Sequence, residues 1–200
     1  MISKVLTAAL IASSFLLGSC ASAAKPKAAR KTLTPYVAQL AEYTTPLPYA
    51  TVIERLDAEV NKTGSLTFAN QWHAAKTKEQ QTALIADVTQ GRNFLYFYEN
   101  NHRAWMDIYD PSTPHLSATT YTLGNPNFAF GIVPLDYTTG LHIPLKFLIL
   151  EEEDHSGTRV IFQQQSSVLA PFNKRNVELQ KHIKDLENAA FALFDKVTAP

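Results

Sequence analysis

The chain has 200 residues, 46% of them apolar and 18% charged, with basic and acidic side chains in equal number. That composition belongs to an ordinary globular domain and excludes both a disordered chain and a polytopic membrane protein. Lys4, Lys25, Lys27, Arg30 and Lys31 all precede the first acid, so residues 32–200 hold 13 basic against 18 acidic side chains, a mildly acidic body without the clustered basic face that nucleic acid requires.

Residues 1–19 read as an export signal. Lys4 is followed by an apolar run from Val5 to Leu17, shorter than the roughly 20 residues that cross a bilayer. The run ends in Leu17-Gly18-Ser19-Cys20, which resembles the bacterial lipobox. The resemblance implies that Cys20 carries lipid, that the mature chain begins there, and that it is held periplasm-facing on an envelope membrane. Ala21 after the cysteine is similar to the pattern that enteric-type bacteria send to the outer membrane. The competing reading is cleavage after Ala21-Ser22-Ala23, which would release a soluble periplasmic or secreted protein. Cys20 is the single cysteine, so the body has no intramolecular disulfide and no thiolate chemistry. Residues 20–35 are rich in Ala, Lys, Pro and Arg and read as an extended, solvated tether to a single domain over 36–200.

Tyr36 to Tyr43 enters that domain as a short helix or strand, and Pro46 and Pro48 mark a turn. Val52, Ile53, Leu56 and Val60 recur at three- and four-residue spacing, which predicts an amphipathic helix over 49–62 with Gly64 as its stop. Ser65 to Trp72 reads as a strand, Lys78 to Thr89 as a helix stopped by Gly91, and Phe94 to Tyr98 as a buried aromatic strand. A helix carrying Trp105, Met106 and Ile108 begins near Asn100. Ala118 to Leu123 alternates as a strand into Gly124-Asn125-Pro126. Leu145–Glu151 and Thr158–Gln164 flank Asp154-His155-Ser156-Gly157 as a hairpin. A long helix closes the chain, striped by Leu179, Ile183, Leu186, Ala190, Leu193 and Val197. Mixed strands and helices with a clear hairpin argue for an α+β fold.

Thr122-Leu123-Gly124-Asn125-Pro126, followed by His142-Ile143-Pro144-Leu145-Lys146-Phe147-Leu148-Ile149-Leu150-Glu151, resembles the bacterial family called domain of unknown function 302. Thr51-Val52-Ile53-Glu54-Arg55-Leu56 looks like that family's first helix, and Trp72-His73-Ala74-Ala75 like its Asp-His turn, so the likeness spans about residues 44–172. Trp72 and His142 stand where the family has Asp, and 77–118 reads as an insertion. The resemblance implies a two-layer sandwich, a mostly antiparallel sheet with helices on one face, that self-associates as a homodimer. It implies no established activity.

Among candidate site residues, Gly124 can adopt backbone conformations closed to other residues, and Pro126 suits the first turn of a helix whose free N–H groups would meet an anion at Asn125. His73 and His142 both fall on motif turns, and with Asp136 and Glu54 they would form a metal or acid–base cluster if they converged. None of the six histidines has the spacing of a helical metal motif, no metal ligand set is assigned, and the sequence indicates no cofactor. The aromatic run 94–98 with Trp105, Phe128, Phe130 and Tyr137 serves either as core or as the lining of an apolar pocket. The leading functional expectation is an envelope lipoprotein whose domain binds a small ligand or a protein. The alternative is a metal-binding or acid–base enzyme using His73 and His142.

Overall fold

The computed structural model describes residues 29–200 and divides the chain into two units, Met1–Thr34 and Pro35–Pro200. The export signal, Cys20 and the tether as far as residue 28 lie outside the described residues. Residues 29–34 of the first unit are exposed and without regular secondary structure.

In the second unit the β-prone stretches pair into one sheet. Its strands are β1 (Leu40–Thr45), β2 (Leu95–Asn101), β3 (Ala118–Gly124), β4 (Leu145–Glu151) and β5 (Thr158–Gln163), in the order β1-β5-β4-β3-β2. Every neighbouring pair is antiparallel, and Phe147 opposite Phe162 sets the register of the β4–β5 hairpin. Because side chains alternate along a strand, Tyr121, Leu123, Leu145, Phe147, Ile149, Val160 and Phe162 all point to one buried face. Thr120, Thr122, Lys146, Leu148, Ile161 and Gln163 fall on the other.

The buried face is covered by the two striped helices. In α1 (Tyr49–Glu59) Val52 and Leu56 are fully buried. α8 (Val177–Val197) starts where Asn176 Oδ1 accepts the Leu179 amide at 3.0 Å, and it lays Ile183, Leu186, Ala190, Leu193 and Phe194 onto the sheet. Phe147, Phe162 and Phe194 meet there at ring separations of 4.9 to 5.4 Å. Each large side chain so buried contributes roughly 1.5–3 kcal/mol. Glu187 of α8 is buried with them, and its carboxylate accepts the Ser166 amide at 2.9 Å and pairs with Lys184.

The next three helices gather around β2. The segment 65–72, read above as a strand, is helical: α2 (Lys62–Ser65) is followed by α3 (Phe68–Ala74). Phe68 and Trp72 lie four residues apart, hence on one helix face, and burial of Phe68 beside Ile85, Val88 and Leu95 stabilises a helix too short to stand alone. The turn after α1 is made by Asn61, in the left-handed region at φ 46°, not by Gly64. α4 (Lys78–Thr89) begins in a capping box between Thr77 and Gln80. α5 (His102–Tyr109) is capped by Asn101, and its His102 Nε2 lies 2.8 Å from Thr120 Oγ1. α6 (Pro126–Ile132) and α7 (Gln165–Val168) pack on α8. The architecture is α+β, as the sequence pattern predicts.

Candidate functional site

The Gly124-Asn125-Pro126 corner joins β3 to α6. Gly124 is required by close approach, not by its backbone angle: a Cβ there would lie 3.0 Å from the Phe97 ring and 3.1 Å from Pro144. Asn125 is occupied by the fold. Its Oδ1 accepts the Asn127 amide at 2.9 Å, and its Nδ2 donates to the Asn93 carbonyl at 3.1 Å, which ties the start of α6 to the loop before β2.

Beside this corner lies an open cleft of about 380 Å³ between α3, β2 and α6, within the size range of small-molecule sites. Its walls are aromatic. Phe97 meets Phe68 edge-on at 5.7 Å, Phe68 stacks at a tilt on Trp72 at 5.6 Å, and Trp72 faces Phe130 at 6.1 Å. Ile143 and Pro144 close one side, Ala129 forms part of the wall, and His73 with Asn125 supplies the polar rim. Phe97 and Phe130 keep 37% and 55% of their surface exposed, an arrangement that offers ring faces to a flat apolar ligand.

Alternation along β2 lets one aromatic run serve two purposes, and a register shift between Tyr96 and Tyr98 sets Tyr98 opposite Thr122, away from the core. Phe94, Tyr96 and Tyr121 belong to the core, whereas Leu95 packs on α3 and α4 and Phe97 reaches the cleft.

The predicted site residues are thus partly assembled. His73, Gly124 and Asn125 line the one cleft. His142 lines a second, larger groove of about 570 Å³ with Leu40, Leu141, Lys146 and the buried Gln165. Ile143 and Pro144, which follow His142 in the chain, face the aromatic cleft. Asp136 is a cap, its Oδ1 accepting the Thr138 amide and hydroxyl at 2.9 and 2.6 Å, and its Oδ2 the Asn173 amide group at 3.1 Å. These bonds hold its carboxyl below the usual range. Glu54 sits exposed on α1. Among the described residues no three His, Cys, Asp or Glu side chains gather as a metal site would require.

The other concentration of titratable groups is Lys62 with Asp57, Glu99 and Tyr121. Lys62 Nζ lies 3.1 Å from Asp57 and 2.8 Å from Glu99, over the rings of Tyr96 and Tyr121, and the Tyr121 hydroxyl donates to Asp57 at 2.7 Å. Burial, then the Asp57 carboxylate, pushes the Tyr121 phenol above its ordinary value. Each member is satisfied by another, so the network fastens α1 and α2 to β2 and β3 without leaving a free group for chemistry.

The topology now bears comparison with known structures. The chain shares its fold with a DUF302 protein. The crystal structure of the uncharacterized conserved protein DUF302 from Bacillus stearothermophilus is similar over 79% of this chain and 97% of its own, with a TM-score of 0.55 and 13% identity. At that identity the likeness is one of fold alone. No protein-family model and no curated protein matches the sequence.

Sequence reasoning located His73, Gly124 and Asn125, read the 94–98 run and Phe130 as either core or pocket lining, and missed Phe68, Trp72 and Pro144 as walls. The four-residue spacing of Phe68 and Trp72 puts them on one face of a helix and equally of a strand, so it does not separate the two.

Proposed function

We propose that this protein is an exported, lipid-anchored binding module of the bacterial envelope whose body takes a small, flat, apolar ligand in the aromatic cleft. The observation that carries the binding reading is the continuous set of rings Phe97, Phe68, Trp72 and Phe130 around an open cleft. A core would bury such rings, yet here two of them stay partly exposed. His73, exposed at the rim, would meet a polar or anionic edge of the ligand, which fixes its orientation.

The binding test uses 1-anilinonaphthalene-8-sulfonate, a flat apolar probe with one anionic group. In a Trp105→Phe background, Trp72 is the tryptophan that reports, and the probe should quench it saturably. Ala129→Phe, which fills the cleft wall, should weaken that binding at least about tenfold, the effect of losing roughly 1.4 kcal/mol. Unchanged binding in Ala129→Phe would dispose of the cleft as the ligand site.

The anchor reading is supported by the lipobox-like Leu17-Gly18-Ser19-Cys20 and by the absence of any other cysteine. Mass spectrometry of the mature N-terminus should find an acylated Cys20. A free Ala24 amine would instead assign a soluble periplasmic or secreted protein.

A further inference from the structure

Six large apolar side chains, Val37, Leu40, Tyr137, Leu141, Phe172 and Val177, are each between 66% and 84% exposed. They come from three separate stretches of chain, yet contacts place them at one end of the sheet. The Tyr36 ring, next to Val37, meets Phe172 edge-on at 6.1 Å. Asn173, after Phe172, donates to Asp136, before Tyr137, at 3.1 Å. Leu40 and Leu141 line the same groove as Lys146. Val177 opens α8 just beyond Asn173 and Asn176, which are bonded through their backbones.

Three exposed cations share this end: Lys146, Lys174 and Arg175. None of them forms an ion pair among the described residues. The acids nearby are Asp136, engaged by Asn173 and Thr138, Glu178, which approaches His182 at 4.0 Å, and the buried Glu187, which pairs with Lys184 and accepts the amide of Ser166, whose carbonyl accepts from Lys174 at 2.6 Å. The body is otherwise acidic, so this end is a positive and apolar island on it. The chain also enters the body here, at Pro35, from a tether that carries Lys25, Lys27, Arg30 and Lys31.

We infer that this end of the body seats on the surface of an anionic lipid bilayer. Exposed aromatic and aliphatic side chains ringed by lysine and arginine match the interfacial zone, where rings and alkyl groups enter the headgroup boundary and cations meet anionic lipid. A second copy fits poorly, because a two-fold contact through this end would bring one copy's cations, Lys146, Lys174 and Arg175, to face the like-charged set of the other. The inference deepens the anchored-module reading and rests on it for the presence of a membrane, but not for acylation of Cys20.

The test uses the full chain with Cys20→Ser and one reporter cysteine carrying a nitrobenzoxadiazole dye. Gly140→Cys places the dye beside Leu141, where an added side chain meets nothing within 4 Å, and Glu153→Cys places it on the exposed hairpin at the other end. On vesicles containing phosphatidylglycerol, the dye at 140 should brighten at least about twofold and shift to the blue, while the dye at 153 stays at its aqueous emission. Lys146→Glu with Lys174→Glu and Arg175→Glu, or 0.5 M salt (a Debye length of about 4 Å), should abolish the response. Leu141→Ser with Val177→Ser serves as a second variant should the charge reversals fail to fold. An equal response at both positions, a response that survives the substitutions, or no association with the vesicles would overturn the inference. So would a dimer in solution that dissociates on Leu141→Ser. Acylation of Cys20 is read separately by mass spectrometry, so either reading can fail alone.

Discussion

The two ends of the sheet treat polar and apolar groups in opposite ways. At the hairpin end, acids close turns and pair with neighbours. Glu151 accepts the Ser117 amide at 3.0 Å and lies 2.9 Å from His155 Nδ1, Asp154 accepts the Ser156 amide, Asp110 accepts the Ser112 amide, and Asp107 pairs with Arg103 and His115. At the opposite end, where Leu40 and Lys146 lie, the cations have no carboxylate and the large apolar side chains stand in solvent. The acids of the first end are engaged by neighbours in the fold. At the second end Lys174 donates to the Ser166 carbonyl, but among the described residues no carboxylate pairs with Lys146, Lys174 or Arg175, and an exposed apolar patch of this kind is where an external partner acts.

The largest effect should come from the acid-rich half. Lys62→Met would leave Asp57 and Glu99 facing each other beside Tyr121 without a cation. Removing one partner of a buried ion cluster costs 3–5 kcal/mol, and the partial exposure of these side chains, 22% for Lys62 and 30% for each acid, lowers the expectation to about 2 kcal/mol. Urea unfolding would measure it. The Lys62 ammonium is partly desolvated, which works against its charge, but the hydrogen bonds to Glu99 and Asp57 outweigh this and raise its pKa above 10.5. A raised pKa means that the cluster's stabilisation is complete below that value and is lost as pH rises through it, so wild type should weaken in strong alkali more than Lys62→Met does.

A middle-sized effect is expected at Glu151. The Ser117 amide and His155 hold its carboxyl down from 4.5 to about 2. A depressed carboxyl contributes stability above its unfolded value and loses it as pH falls, so the contribution should fade between about pH 4.5 and 2. Melting temperatures across that range should fall less steeply in Glu151→Gln than in wild type. Parallel slopes would show that the acid end does not depend on this bond.

Much of this contrast was legible in sequence, and the parts that were not have physical reasons. The hairpin around Asp154-His155-Ser156-Gly157, the Gly-Asn-Pro corner and the α8 stripe all depend on neighbours a few residues away, and local chemistry places them. Phe68 and Trp72 were misassigned because a seven-residue helix draws its stability from Ile85, Val88 and Leu95 of distant segments, which no local window contains. The aromatic cleft was hidden because alternation along β2 sends Phe94 and Tyr96 to the core and Phe97 to the other side, where the walls it meets come from distant segments. His73 and His142 looked equivalent because both fall on motif turns, and only the three-dimensional structure shows that they line different grooves. The platform was invisible because Val37, Leu141, Phe172 and Val177 look like core residues until their exposure is known.

The smallest predicted effect is the one that sharpens the comparison most. Leu141 and Val177 are 84% and 80% exposed, so replacing either with serine removes almost no buried area from the isolated protein. A side chain that buries nothing contributes nothing to the folded state, and Leu141→Ser with Val177→Ser should shift stability by less than about 0.5 kcal/mol. The same pair of changes in a core strand, at Phe147 and Ile149, would unfold the domain, since truncation of a single buried side chain there costs about 3 kcal/mol or more. If denaturant midpoints show that Leu141→Ser is also costly in solution without lipid, its side chain is already buried against something, a second copy being the nearest candidate. An apolar residue retained in solvent at no cost to the fold is then explained by what it meets outside, and the cations at the same end set the charge of that partner.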